Sequence, residues 1–208
     1  MNAVLDAIAS TRIVAIVRLD QYDRAVEIAQ ALYDGGISAI EFTLTGQGVS
    51  EAIQAIRTTF GDKVQVGAGT VLTPDAARQV IDAGAQFLVT PTINAEVISL
   101  SRARETPIIC GALTPTEALH AYELGADMIK IFPARAFGPA YIRDILAPLP
   151  QLKLVPTGGI NAKNARDYLD AGAAAVGIGG NLVSKQAVQS NDWAQITSIA
   201  RACVEAVS

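Results

Sequence analysis

The stretch Gly125-Ala126-Asp127-Met128-Ile129-Lys130-Ile131-Phe132-Pro133 decides how this chain is interpreted. A glycine turn precedes a short apolar run, and a proline that cannot continue a hydrogen-bonded ladder ends it, so the run predicts a buried parallel β-strand. Lys130 stands inside this run, and a charge is costly to hold in a dry interior. Burial favours the neutral amine, which is a nucleophile for a carbonyl carbon. A lysine at the exposed outer end of a strand is the alternative that this segment alone leaves open.

Length and composition favour a single α/β domain. The 208 residues suit one substantial core, and we treat residues 1–208 as one domain. Hydrophobic residues make up 50% of the chain and charged residues only 17%. This balance is typical of proteins in which helices cover both faces of a parallel sheet.

Charge, hydropathy and cysteine content exclude several classes of partner. The net charge is -4 and no Lys/Arg cluster is present, which speaks against nucleic acid and anionic membranes as partners. No apolar run reaches the roughly 18 residues of a membrane span, and no secretory signal is recognisable, so we expect a cytoplasmic protein. Cys110 and Cys203 lie far apart and His120 is the single histidine, so no zinc site is predicted, while a carboxylate site for magnesium stays open.

Strand and helix signals alternate eight times along the chain. A short amphipathic helix over residues 3–10 comes first. Thr73 and Thr114 precede prolines at helix starts, with Glu117 completing a capping box, and Asn161 is expected to cap a helix over residues 162–169. The predicted strands cover residues 13–17, 39–44, 64–70, 86–91, 107–111, 125–133, 152–159 and 174–180.

This alternation predicts a single (β/α)8 TIM barrel with an N-terminal helix. The alternative is an open doubly wound sheet, but no Gly-x-Gly-x-x-Gly motif follows the first strand. In a barrel, the active site lies at the carboxyl ends of the strands.

A glutamate on the second predicted strand is the expected partner of Lys130. Because strand side chains alternate faces, Glu41 and Thr43 share one face, and Ile40 and Phe42 share the other. If the apolar pair packs against helices, Glu41 points into the barrel, where desolvation raises its pKa. Glu41 and Lys130 form either a structural ion pair or a general acid/base beside an amine nucleophile.

Two diglycines and one arginine predict an anion site. Gly158-Gly159 and Gly179-Gly180 follow the seventh and eighth strands, where such barrels bind phosphate through backbone N–H groups. Each diglycine alone could be only a turn; both in these two places predict a phosphate site. Arg18 ends the first strand and offers a planar fork to a carboxylate, unless it is an ordinary surface arginine.

At these positions the chain resembles the 2-keto-3-deoxy-6-phosphogluconate (KDPG) aldolases and the related 4-hydroxy-2-oxoglutarate (KHG) and 6-phosphogalactonate aldolases. The resemblance is collinear from the first strand to the eighth. It rests on Ile40-Glu41-Phe42-Thr43, Gly67-Ala68-Gly69-Thr70-Val71, Thr90-Pro91, Lys130-Ile131-Phe132-Pro133, Pro156-Thr157-Gly158-Gly159-Ile160 and Gly177-Ile178-Gly179-Gly180.

The resemblance implies a metal-independent class I aldolase that needs no cofactor and is typically a homotrimer. Lys130 would form a Schiff base with the ketone of a phosphorylated keto acid, and Glu41 would take the hydroxyl proton as the carbon–carbon bond breaks to give pyruvate. Further residues follow from the same resemblance: Arg18, Thr45, Thr70, Pro91, Phe132 and Thr157 for the pyruvyl and carboxylate part, and Gly158, Gly159, Gly179, Gly180 and Asn181 for the phosphate.

The chain departs from the family pattern at two positions. Thr45 stands where some members carry a carboxylate-binding arginine, and Arg18 is the candidate to replace it. Asn181 stands where a serine often follows the last diglycine. Thr157 resembles the gluconate-type enzymes, since galactonate-type members tend to carry valine there. KHG cleavage, a barrel isomerase or epimerase, and a non-catalytic phosphate-binding barrel are the alternatives.

Overall fold

Eight parallel strands build the structure, a computed structural model that describes residues 3–208, and the first seven of them pair with their neighbours in chain order. All strand residues are buried, as expected for a sheet that is covered on both faces. The strands are β1 Ile13–Val17, β2 Ala39–Thr43, β3 Gln65–Gly69, β4 Phe87–Val89, β5 Ile108–Ala112, β6 Met128–Ile131, β7 Leu154–Pro156 and β8 Val176–Ile178.

Helices alternate with the strands and cover the outside of the sheet. Every helix within residues 3–208 is too short or too polar to span a bilayer. The helices are α1 Ala3–Thr11, α2 Ala25–Asp34, α3 Val49–Phe60, α4 Pro74–Asp82, α5 Ala95–Ala103, α6 Pro115–Leu124, α7 Pro139–Leu146, α8 Ala165–Asp170, α9 Lys185–Gln189 and α10 Trp193–Val207, with 3₁₀ helices at Gly61–Lys63 and Ala134–Ala136.

The sheet closes into a barrel between its first and last strands. The strand order is β7-β6-β5-β4-β3-β2-β1-β8, so β1 pairs with both β2 and β8. Strands β7 and β8 are joined over only a few residues. Thr157 and Gly177 form a single β-bridge, and the N–H of Ala174 donates a hydrogen bond to the carbonyl of Leu154 at 2.9 Å. The predicted TIM barrel is confirmed, and the open doubly wound sheet is wrong because β8 pairs with β1 on one side and contacts β7 on the other.

Helix α1 fills the amino-terminal end of the barrel. Its Val4 and Ile8 belong to a small buried cluster that is separate from the larger core between sheet and helices. Ala39, Phe87 and Met128 in this cluster are the first residues of their strands, so α1 packs at the end where strands begin. The carboxyl ends of the strands are therefore left for a site.

Local capping chemistry sets most helix starts. The side chain of Thr73 accepts a hydrogen bond from the N–H of Ala76, and Thr114 and Glu117 form the predicted reciprocal capping box. The predicted cap at Asn161 is wrong, since α8 starts only at Ala165. The carbonyl oxygen of the Asn161 side chain instead accepts from the N–H of Lys163 at 2.9 Å, within the loop after β7.

Six of the predicted strands, the second, third, fourth, sixth, seventh and eighth, are shorter in the structure than the sequence suggested. Strand β7 ends at Pro156 because Gly158 and Gly159 adopt φ angles of 101° and 82°, a left-handed conformation that cannot continue a strand. Strand β8 covers only Val176–Ile178, and the short helix α9 that follows was not predicted.

Truncating Ile8 tests the role of α1. The side chain of Ile8 is fully buried, so Ile8→Ala is expected to lower the free energy of unfolding by about 2–5 kcal/mol. Urea unfolding compares it with Ser10→Ala, an exposed position on the same helix that we expect to leave stability nearly unchanged. Equal effects of the two substitutions would show that α1 does not seal the barrel.

Candidate active site

Lys130 and Glu41 lie together inside the barrel. Lys130 is 4% exposed on β6 and Glu41 is 1% exposed on β2, and both line one cavity of about 10 Å³. A cavity of this size holds at most about one water molecule. Glu41 faces inward as predicted, and the alternative of an exposed Lys130 is wrong. The other walls of the cavity are largely aliphatic: Val14, Ile16, Val89, Ile109 and Val155, with Thr157 and Gly177.

The Glu41 carboxyl has no hydrogen-bond partner among the described residues, on either oxygen. Burial raises the pKa of Glu41, as the sequence predicted, while the positive charges of Lys130 and Arg18 oppose this rise. Gly69 on β3 makes room for the group, since a Cβ there would lie 2.5 Å from Oε1 of Glu41. Packing, not hydrogen bonding, therefore holds this carboxyl, and both of its oxygens remain available as hydrogen-bond acceptors.

Lys130 and Glu41 influence each other without forming an ion pair. The ion pairs within residues 3–208 are all between other residues, so the Nζ of Lys130 is not within 4.0 Å of a Glu41 oxygen. The Nζ lies 5.3 Å from the ring centroid of Phe132. The lack of a close contact between Lys130 and Glu41 argues against the structural ion pair that the sequence left open.

A wider pocket of about 600 Å³ adjoins the cavity. Ile16 and Thr157 belong to the walls of both spaces. The pocket walls contain three cationic residues, Arg18, Arg135 and Lys185, and no Asp or Glu. In a chain with a net charge of -4, this local excess of positive charge favours an anionic ligand. The predicted residues lining it are Arg18, Phe132, Thr157, Gly158, Gly159, Gly179, Gly180 and Asn181.

The two diglycine loops present free backbone donors to this pocket. Among the hydrogen bonds of residues 3–208, none uses the N–H of Gly158, Gly159 or Gly180 as donor. Asn181 lies beside them, and its side-chain amide donates to the carbonyl of Ile160 at 2.9 Å. Uncommitted N–H groups that line a concave, positively charged pocket are suited to bind phosphate oxygens.

Three predicted site residues lie outside the walls of both spaces. Thr45 is exposed, and its hydroxyl is hydrogen-bonded to that of Thr43 at 2.8 Å. Thr70 follows β3 with a φ of 58°, an uncommon backbone conformation for threonine, and Pro91 is half-buried after β4. They share the carboxyl ends of the strands with the pocket, but the structure does not bring them into its lining.

A buried tyrosine that the sequence did not single out supports the segment around Arg18. The hydroxyl of Tyr22 accepts from the N–H of Leu19 at 3.4 Å and lies 2.8 Å from the carbonyl of Thr43. It also lies 3.2 Å from the carbonyl of Val17. Tyr22 thereby ties the backbone on both sides of Arg18 to the end of β2, two residues beyond Glu41.

Two cationic residues of the pocket were also missed. Arg135 lies in the 3₁₀ helix that follows β6, and Lys185 begins α9. The position of Arg135, two residues after Pro133 at the carboxyl end of the lysine strand, was a usable signal. Lys185 carried no local signal, because its place in the pocket depends on how the chain packs after β8.

The structure offers no metal-binding cluster in its described part. Within residues 3–208, no three His, Cys, Asp or Glu side chains are grouped so as to hold a metal ion. Cys110 and Cys203 are both free and buried.

Comparison with known proteins gives consistent similarities over almost the whole chain. The sequence profile described as KDPG and KHG aldolase matches residues 4–199. A 2-dehydro-3-deoxy-phosphogluconate aldolase of Treponema pallidum (strain Nichols) is 36% identical over 209 residues, covering 100% of this chain and 99% of that protein. A 2-dehydro-3-deoxy-6-phosphogalactonate aldolase of Escherichia coli (strain K12) is 38% identical over 171 residues, covering 82% of this chain and 83% of that protein.

A solved structure with a trapped intermediate has the same fold. It is a KDPG aldolase from Legionella pneumophila with pyruvate captured at low pH as a covalent carbinolamine. The two chains superpose with a TM-score of 0.89 at 32% identity, over 96% of this chain and 97% of that one.

The raised pKa of Glu41 predicts a pH-dependent effect on stability. The folded state binds the proton of the Glu41 carboxyl more tightly than the unfolded state does, where the pKa of the group is near 4.5. The free energy of unfolding therefore decreases as pH rises from the pKa of Glu41 in the unfolded state to its higher pKa in the folded state. Glu41→Gln removes this contribution. The melting temperature of Glu41→Gln minus that of the parent protein should therefore be more positive at about pH 8 than at about pH 5.

The control for this experiment is Glu51→Gln, which removes the same charge from an exposed position on α3. Thermal unfolding by circular dichroism at both pH values measures the difference. A difference between Glu41→Gln and the parent that stays constant with pH, or shrinks as pH rises, would contradict the assigned direction.

Proposed function

We propose, since the chain belongs to the family of KDPG and KHG aldolases, that it is a metal-independent class I aldolase cleaving KDPG to pyruvate and glyceraldehyde 3-phosphate. One observation carries the proposal: a buried lysine and a buried glutamate, whose carboxyl has no hydrogen-bond partner among the described residues, share a cavity inside the barrel. That pair supplies both the nucleophile and the acid/base group that Schiff-base aldol chemistry requires.

The reaction begins at Lys130. Its neutral amine attacks the ketone carbon of the substrate to give a carbinolamine. The protonated Glu41 carboxyl gives its proton to the carbinolamine hydroxyl, which leaves as water, so that an iminium ion and the Glu41 carboxylate remain. The largely aliphatic walls of the cavity exclude bulk water from the intermediate.

Glu41 then moves protons. Its carboxylate accepts the proton of the hydroxyl on C4, the C3–C4 bond breaks, and the electron pair flows into the iminium to form an enamine. The raised pKa makes the group an effective base and a ready donor for the proton that returns to C3. Hydrolysis of the resulting pyruvyl iminium releases pyruvate and restores the Lys130 amine.

The pocket supports a substrate with an anion at each end. Arg18, whose charge acts on Glu41, is proposed to bind the carboxylate in place of the arginine that is absent at Thr45. The N–H groups of Gly158, Gly159 and Gly180 are proposed to bind the phosphate. Gly179, Asn181, Phe132, Thr157, Thr70 and Pro91 keep the binding roles that the family resemblance implies.

Two other substrates are the alternatives within the family. KHG would give pyruvate and glyoxylate, and the cationic pocket of about 600 Å³ favours the phosphorylated substrate over it. The galactonate epimer is favoured by the E. coli relative, whereas Thr157 favours the gluconate form. We further propose that residues 1–208 act as one domain, in the cytoplasm and as a homotrimer, as the family resemblance implies.

Removing the nucleophile tests the proposal. Lys130→Ala should lower kcat for KDPG cleavage by at least about 1,000-fold, because no other lysine of the described chain lines the cavity. Lys153→Ala, at an exposed position just before β7, is the matched control and should keep the parent kcat. Pyruvate release is measured for both, with thermal unfolding to show that each is folded. A folded Lys130→Ala enzyme that still turns over would refute the mechanism.

A further inference from the structure

Arg135 is a cation that neither the fold nor the proposed chemistry explains. It lines the wide pocket but takes part in no side-chain hydrogen bond or ion pair within residues 3–208. An arginine that is exposed and unpaired is common on a surface. This one, however, follows the strand that carries Lys130 and faces the same pocket as both diglycine loops.

The backbone fixes Arg135 against the first diglycine loop. The N–H of Arg135 donates to the carbonyl of Gly158 at 3.1 Å. The side-chain stem runs beside Gly159, since a Cβ at that glycine would lie 2.8 Å from the Cβ of Arg135 and 3.4 Å from its Cδ. The loop donors and this side chain therefore form one unit, in which the glycine leaves space for the arginine stem.

The other two cations of the pocket have other partners. Arg18 acts on Glu41 and belongs to the end of the pocket next to the cavity. The Nζ of Lys185 is 2.8 Å from both carboxylate oxygens of Asp20, which neutralise its charge. Arg135 is thus the pocket cation that lies beside the free loop N–H groups without a compensating carboxylate.

We propose that Arg135 binds the terminal phosphate of the substrate and sets the preference for phosphorylated over unphosphorylated keto acids. Neutral N–H donors match the oxygens of the phosphate but do not balance its charge, whereas a guanidinium does both through paired N–H···O bonds. The proposal rests on the proposed aldolase function and deepens it. It assigns a specificity role to a side chain outside the diglycine motif.

Steady-state kinetics with two substrates tests this role. We expect Arg135→Ala to lower kcat/KM for KDPG about tenfold relative to kcat/KM for KHG, mainly through KM, since one charge-assisted contact is lost. The Ki of inorganic phosphate as a competitive inhibitor should rise by a similar factor. Arg135→Lys keeps the charge but not the fork and should fall between the parent and Arg135→Ala.

Arg143→Ala is the matched control. Arg143 lies exposed on α7, outside the pocket and without an ion pair in the described part of the chain, so its loss changes the net charge equally. It should leave the ratio of the two kcat/KM values and the Ki unchanged. An unchanged ratio in Arg135→Ala, or an equal change in Arg143→Ala, would overturn the proposal.

Direct binding separates this inference from the function on which it rests. Isothermal titration with inorganic phosphate needs no turnover, so it applies even if the parent protein cleaves neither keto acid. In that case the aldolase proposal fails. A Kd for phosphate that is about tenfold higher in Arg135→Ala than in the parent, and unchanged in Arg143→Ala, would still support Arg135 as a phosphate ligand. Equal Kd values in the parent and Arg135→Ala would overturn the assignment itself.

Discussion

The burial of the Glu41 carboxyl, with no hydrogen-bond partner in the described structure, is the constraint on which the rest of the site depends. A buried polar group destabilises the fold unless a hydrogen bond compensates for its loss of contact with water. The barrel tolerates it because the surrounding walls are closely packed, Gly69 leaves room beside it, and Lys130 and Arg18 lie near enough to act on it electrostatically. Such a group, held where the fold gains little from it, is typical of a catalytic position.

The proposed chemistry and the proposed binding of the substrate's charged ends lie in two adjoining spaces. Helix α1 closes the amino-terminal end of the barrel, so the cavity with Lys130 and Glu41 is approached from the carboxyl ends of the strands. There the wide pocket presents cations and free N–H groups that suit an anionic molecule. Covalent chemistry benefits from a dry interior, whereas charged ends are bound at lower cost near solvent. Thr157 and Ile16 line both the cavity and the wide pocket, so the two spaces adjoin at these side chains.

Local sequence signals predicted most of the fold and the centre of the site. The strand and helix alternation and the caps at Thr73 and Thr114 depend on neighbouring residues, and charges inside apolar runs identified Lys130 and Glu41. The predicted cap at Asn161 failed because Asn164 bonds instead to the N–H of Asn161 and the carbonyl of Gly159, and delays the helix. Lys185 and Tyr22 were missed because contacts between distant segments, to Asp20 and Thr43, give them their roles.

The most direct test of the account is reductive trapping of the Schiff base. The protein is treated with borohydride in the presence of pyruvate, and its peptides are mapped by mass spectrometry. The account predicts one pyruvyl adduct, on Lys130, because among the described residues that lysine is buried beside the Glu41 carboxyl in the same cavity. The absence of an adduct, or an adduct on Lys153 or Lys163 instead, would contradict it.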